Sequence, residues 1–187
     1  TTGRFVTGLV LDDGTYYVLY SLVGNSTAIA GVVQGTGTSN AGTFSSSNAR
    51  DFNLEGLGVL SASVSASYVA RQSLNGTVSY SAGGTTSFSS TYNADYDAVP
   101  SLAILAGTFS GQVASSAGAE NATVTLSAAG AISGSGASGC AVSGAAAPRA
   151  RGNVFNISLT FAGAPCLLAN QTLSGIAYFD AATKRLY

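Results

Sequence analysis

The sequence predicts an all-β protein: two tandem, duplicated antiparallel modules, each a small barrel or sandwich, with almost no helix. Three observations carry that expectation. Apolar and polar residues alternate with period two along most of the chain, short Gly- and Asp-bearing turns separate the alternating runs, and similar segments recur in the two halves.

The alternation is clearest in Leu60-Ser61-Ala62-Ser63-Val64-Ser65-Ala66-Ser67-Tyr68, where every second residue is Ser. A strand with that pattern has one wet face and one packed face. Ala122 to Ser127 and Phe155 to Phe161 repeat the logic, the latter with larger apolar residues. Asp12-Asp13-Gly14 and Gly83-Gly84 each lie between two such runs and read as hairpin turns. One helical candidate remains, Pro100 to Ala106, with Pro near its start and Gly107 after its end.

Duplication follows from spacing. Gly31-Val32-Val33-Gln34-Gly35-Thr36-Gly37 matches Gly130-Ala131-Ile132-Ser133-Gly134-Ser135-Gly136, and Gln72 to Gly76 matches Gln171 to Gly175, both at a spacing of 99. With small shifts, Arg4 to Gly8 resembles Thr108 to Gly111, and Arg50 to Asn53 resembles Gly152 to Asn156. These matches divide the chain into a first β module at 1–97, a linker with a short helical turn at 98–106, and a second β module at 107–187. Gly31, Gly35 and Gly76 are then expected to occupy the places of Gly130, Gly134 and Gly175. One larger barrel spanning both copies is the alternative. Short meandering connections suit closure, which removes edges that would otherwise pair with other chains.

Composition limits the function. Apolar residues make up 46% of the chain, enough for a packed core rather than a disordered chain. Charged residues are only 8%, so hydroxyls and amides must wet the surface. Seven basic residues against eight acidic ones leave no basic face for nucleic acid. The run Leu102 to Ala106 is far shorter than a membrane span. The chain starts at Thr1, which reads as a mature form whose targeting segment has been removed.

The residues speak against an enzyme. There is no His, and Lys184 is the single lysine, so His-dependent triads and Cys–His pairs are unavailable. Paired carboxylates would be the remaining route. The acids Asp12, Asp13, Asp51, Glu55, Asp95, Asp97, Glu120 and Asp180 fall mostly in turn-like segments or at strand ends, where solubility and turn chemistry account for them. No catalytic residue and no cofactor is therefore assigned. Asn93, Asp95 and Asp97 resemble the opening of a calcium loop. Ala98 stands where such a loop needs Gly, and no acid follows at its last position, so a structural turn is the stronger reading.

Cys140 and Cys166 are the only cysteines, and an even count in this composition predicts a disulfide and an extracytoplasmic location. Both would brace the second module. Sequons at Asn25, Asn75, Asn121, Asn156 and Asn170 matter only in a eukaryotic secretory setting. Tyr16, Tyr17, Tyr20, Tyr92 and Tyr96 suit sheet packing, and as amphipathic side chains they also suit recognition.

Gly14 to Ser21, Ala30 to Phe44 and Gly175 to Asp180 together resemble a group of uncharacterised proteobacterial outer-membrane and surface lipoproteins. The resemblance implies an envelope location, a flexible N-terminal tether and a lipid anchor on a Cys that this chain does not carry. In architecture alone, tandem small barrels resemble surface lipoproteins that bind host proteins or metal carriers. The expected function is non-enzymatic binding or scaffolding, with another protein, a surface glycan or copies of itself as partner. Membrane contact is expected only through the implied anchor. The alternative is a subunit of an extracellular filament or surface layer assembled through β-edge contacts.

Overall fold

The computed structural model of the chain describes residues 3–115 and 118–187. It is 64% strand and 4% helix, so the all-β expectation holds, and the strands form two nearly closed, barrel-like antiparallel sheets in tandem. The chain divides between Ala94 and Asp95 into two compact units. A single barrel spanning both halves is thereby replaced by two separate sheets.

The first unit contains β1 (Val6–Val10), β2 (Thr15–Leu22), β3 (Asn25–Thr36), β4 (Thr38–Asn40), β5 (Thr43–Asn53), β6 (Gly58–Val69), β7 (Ser73–Tyr80) and β8 (Thr85–Thr91). Its strands run in the order β1-β2-β3-β5-β6-β7-β8, with the short β4 paired to β5. The Ser-alternating run lies in β6, where Ala62, Val64 and Ala66 are buried and Ser63, Ser65 and Ser67 exposed. The buried core joins Tyr16, Val33, Phe44, Ala49, Val64 and Val78, and the Tyr16 and Phe44 rings meet edge to face at 5.3 Å. Close approach explains two of the repeated glycines. A Cβ on Gly31 would overlap the Tyr20 hydroxyl, and one on Gly35 would stand 2.7 Å from the Tyr16 hydroxyl. Glycine lets Tyr16 and Tyr20 of β2 fold across β3.

The second unit begins with a 3-10 turn and the short helix α1 (Leu102–Leu105). There follow β9 (Gly107–Ser115), β10 (Gly118–Leu126), β11 (Ala131–Gly136), β12 (Ala141–Pro148), β13 (Val154–Phe161), β14 (Thr172–Asp180) and β15 (Arg185–Leu186). They pair in strict chain order. Phe109 of β9 and Phe179 of β14 are separated by four strands of the sheet, yet their rings are 5.9 Å apart, so the sheet is rolled around its core. The segment 98–106, expected as a linker, contributes to that core. Leu105 is fully buried with Leu126, Ile132, Ala146 and Phe155, so a residue from before the sheet completes its core.

Both sheets are seven-strand meanders apart from β4, and the repeat can be followed through them. Gly35 and Gly134 lie in the third strand of their sheets, Gly76 and Gly175 in the sixth. Gly31 and Gly130 differ: Gly31 lies within β3, whereas Gly130 occupies the turn before β11 with φ +85°. Arg50 to Asn53 lies in the fourth strand along its sheet, while Val154 to Asn156 lies in the fifth, so that sequence match does not mark equivalent positions.

Cys140, after β11, is bonded to Cys166, between β13 and β14. A loop closed across that separation stabilises by roughly 3–4 kcal/mol on the chain-entropy account.

Candidate functional site

The polar side chains that meet inside the first unit come from β2, β5, β7 and the segment before β1. Asp51 of β5 is buried at 1% exposure. Tyr20 Oη donates to its Oδ1 at 2.8 Å and Tyr80 Oη to its Oδ2 at 2.9 Å. Asn53 Nδ2 donates to Tyr20 Oη at 3.1 Å. The Arg4 guanidinium lies 5.5 Å from the Tyr20 ring centroid, donates to the Ser21 carbonyl at 2.8 Å and pairs with Glu55 at 2.8 Å. Two tyrosines thus solvate a buried carboxylate, while Arg4 and Glu55 close the network at its edge.

The electrostatics follow from this geometry. Burial pushes the Tyr20 hydroxyl well above its usual range, and the hydrogen bond to Asp51 and the charge of that carboxylate push it further. Tyr80 is pushed up to about 12, first by burial and then by the same carboxylate. Both hydroxyls remain protonated donors at neutral pH, as a phenol facing a carboxylate must to avoid like-charge repulsion.

Sequence reading grouped Asp51 with acids of turns and strand ends; the structure places it inside the barrel wall. The cause is a slip in the β5–β6 register between Ser46 and Ala49. Before the slip Phe44 and Ser46 point inward; after it Ala49 and Asp51 do, and Phe52 is turned outward. A bulge adds a residue on one strand and so inverts the alternation beyond it. The only sequence signal was the broken alternation of Ser45-Ser46-Ser47-Asn48. Tyr80 was missed altogether, since nothing local links it to Asp51.

Three further acids hold turns. Asp13 Oδ1 accepts from the Thr15 amide at 2.9 Å, and Glu120 accepts from the Ser138 amide at 2.6 Å. Asp180 accepts from the Ala182 and Thr183 amides and the Thr183 hydroxyl. Burial alone would raise the Asp180 pKa, but those bonds and the Arg185 charge outweigh it and hold the carboxyl below its ordinary range. Asn93, Asp95 and Asp97 straddle the division between the units, and Ala94–Asp97 forms the 3-10 turn. Among the described residues, no group of three or more His, Cys, Asp and Glu could hold a metal ion.

A shallow groove of about 340 Å³ runs along the seam where β1 and β8 approach, lined by Arg4, Phe5, Val6 and Ser89 to Thr91. In comparisons with known proteins, no family model, no curated protein and no solved structure matches the chain.

Proposed function

We propose that this chain is a non-catalytic module of the bacterial cell envelope that acts by binding or scaffolding. The observation that carries the reading is the commitment of Asp51. Both of its oxygens accept hydrogen bonds from tyrosines within the wall, so this carboxylate braces a fold and is not presented to a substrate. The disulfide fits an oxidising compartment, and the lipoprotein resemblance supplies the envelope setting and the anchor. Recognition then falls to surface Tyr, Asn, Ser and Thr side chains, with a protein or a glycan as partner. Purified protein is expected to show no turnover of ester, glycoside or peptide substrates. Turnover abolished by Glu55→Gln or Asp97→Asn would overturn the non-catalytic part, and recovery of the native protein from the cytoplasmic fraction would overturn the envelope part.

A filament or surface-layer subunit is the second reading, favoured by β9. This edge strand pairs with β10 alone in its sheet, runs for nine residues and carries no charge and no proline. Natural edges usually carry such guards against pairing with other chains. Electron microscopy of native material separates the readings: regular polymers support the filament, dispersed particles the binding module.

A further inference from the structure

The first unit is chemically lopsided. Because its strands form a meander, the β2–β3, β5–β6 and small-residue β7–β8 turns lie at the same end as the start of β1, and the β1–β2, β4–β5 and β6–β7 turns at the other. The second end carries Asp12, Asp13, Asn40, Arg71 and Gln72. Among the described residues of this unit, every exposed large apolar side chain except Val69 lies toward the first end. Phe5, Val23, Leu54, Leu57 and Val59 are the most prominent, each between 52% and 66% exposed. Exposed apolar residues scattered singly are ordinary; their concentration at one end of a unit is what calls for a partner.

We propose that this end of the first unit inserts its turn tips into the interfacial layer of a lipid bilayer. That goes beyond the binding-module reading, in which membrane contact comes only through an anchor.

Three features favour a bilayer over a protein. Val23, Leu54 and Leu57 stand on two separate protrusions, the β2–β3 tip and the β5–β6 tip, beside the start of β1, whose Phe5 also borders the shallow β1–β8 groove, and a fluid layer moulds around separate tips. Their charge is balanced: Arg4 and Glu55 neutralise each other and Asp51 is enclosed, so little charge must be desolvated on insertion. Five of their backbone donors are also satisfied from within. Leu54 N donates to the Ala30 carbonyl, Glu55 N and Leu57 N donate to Asn53 Oδ1, Gly24 N donates to the Gly3 carbonyl, and Phe5 N donates to Ser21 Oγ. An apolar phase offers no water to satisfy such groups, so a segment that enters it must bring their acceptors along. Asn53 therefore holds the tip closed from below while its leucines face outward.

The test is co-sedimentation of the purified full chain with vesicles of phosphatidylcholine alone and of phosphatidylcholine with phosphatidylglycerol. Binding is expected to both, within about twofold, and unchanged between low and moderate salt, because apolar burial drives it. Leu54→Ser with Leu57→Ser is expected to weaken binding at least about tenfold. Val99→Ser, which removes an exposed side chain of the second unit, should leave it intact. The chain has no Trp, so a reporter gives an independent readout that needs no loss of folding. Leu57→Trp emission should shift to the blue on adding vesicles, while Gln72→Trp at the opposite end should not respond. Absence of vesicle binding would overturn the proposal. So would binding that requires phosphatidylglycerol and vanishes with salt, or concentration-dependent self-association lost in the double variant without vesicle binding, which would assign this end to a second copy. Failure of the envelope reading leaves these measurements untouched, since they use purified protein and defined lipid.

Discussion

The two units roll the same kind of meander and fill it by different means. In the first, large rings do the work: Tyr16, Tyr20 and Phe44 lie across glycine-bearing strands, and the remaining space holds a buried carboxylate with two phenols. In the second, Phe109, Phe155 and Phe179 also supply rings, but the inward positions of β11 and β12 carry side chains as small as Gly134 and Ala146, and closure adds Leu105 from outside the sheet and a covalent link. A small barrel can thus be completed with aromatic volume and internal hydrogen bonds, or with a plug and a crosslink. The first solution depends on polar partners staying matched, the second on the redox state.

That contrast breaks most visibly under reduction. Reduced protein, or the Cys140→Ser, Cys166→Ser double variant, is expected to lose roughly 3–4 kcal/mol from the second unit alone. Calorimetry should then show one transition moving down in temperature while the other stays. Two transitions moving together would show that the units do not melt independently.

The next effect belongs to the first unit. Tyr80→Phe removes a donor to a buried carboxylate and should cost about 2 kcal/mol there, read by denaturant titration. It should also change the alkaline limb of stability. The Tyr80 pKa is raised in the folded state, so its contribution is fully present below the unfolded value near 10 and is lost as pH climbs toward about 12. Wild-type stability should fall across that window and the variant's should fall less. An equal slope in both would remove the carboxylate brace from the account.

The smallest effect is expected at Arg4 and Glu55. Their ion pair is partly open to water, and Glu55→Gln should cost less than about 1 kcal/mol, further reduced by salt. A larger loss would mean that Glu55 supports the Asp51 network directly.

Some of this was legible in residues alone. The Ser alternation of β6 predicted both its strand and its inward face, since the side-chain period is two wherever pairing is regular. The cysteine count predicted a bond that the structure contains. Segment 98–106 carries the expected short helical turn, but its place in the second core through Leu105 was not visible, because Pro100 and a short apolar run look alike in a linker and in a plug. Its role depends on a hole in the second barrel that no local pattern reveals.

By itself, then, the sequence determined the all-β class, the succession of short antiparallel strands and the stapling of the second unit, because alternation, turn residues and paired cysteines act locally or pairwise. Tertiary structure alone decided which way β5 faces and which end of the first unit is apolar. A register slip against β6 inverted the alternation and carried Asp51 inside with Phe52 out. Leu54 and Val23, far apart in sequence, came to share one end only because antiparallel pairing returns every second turn to the same side.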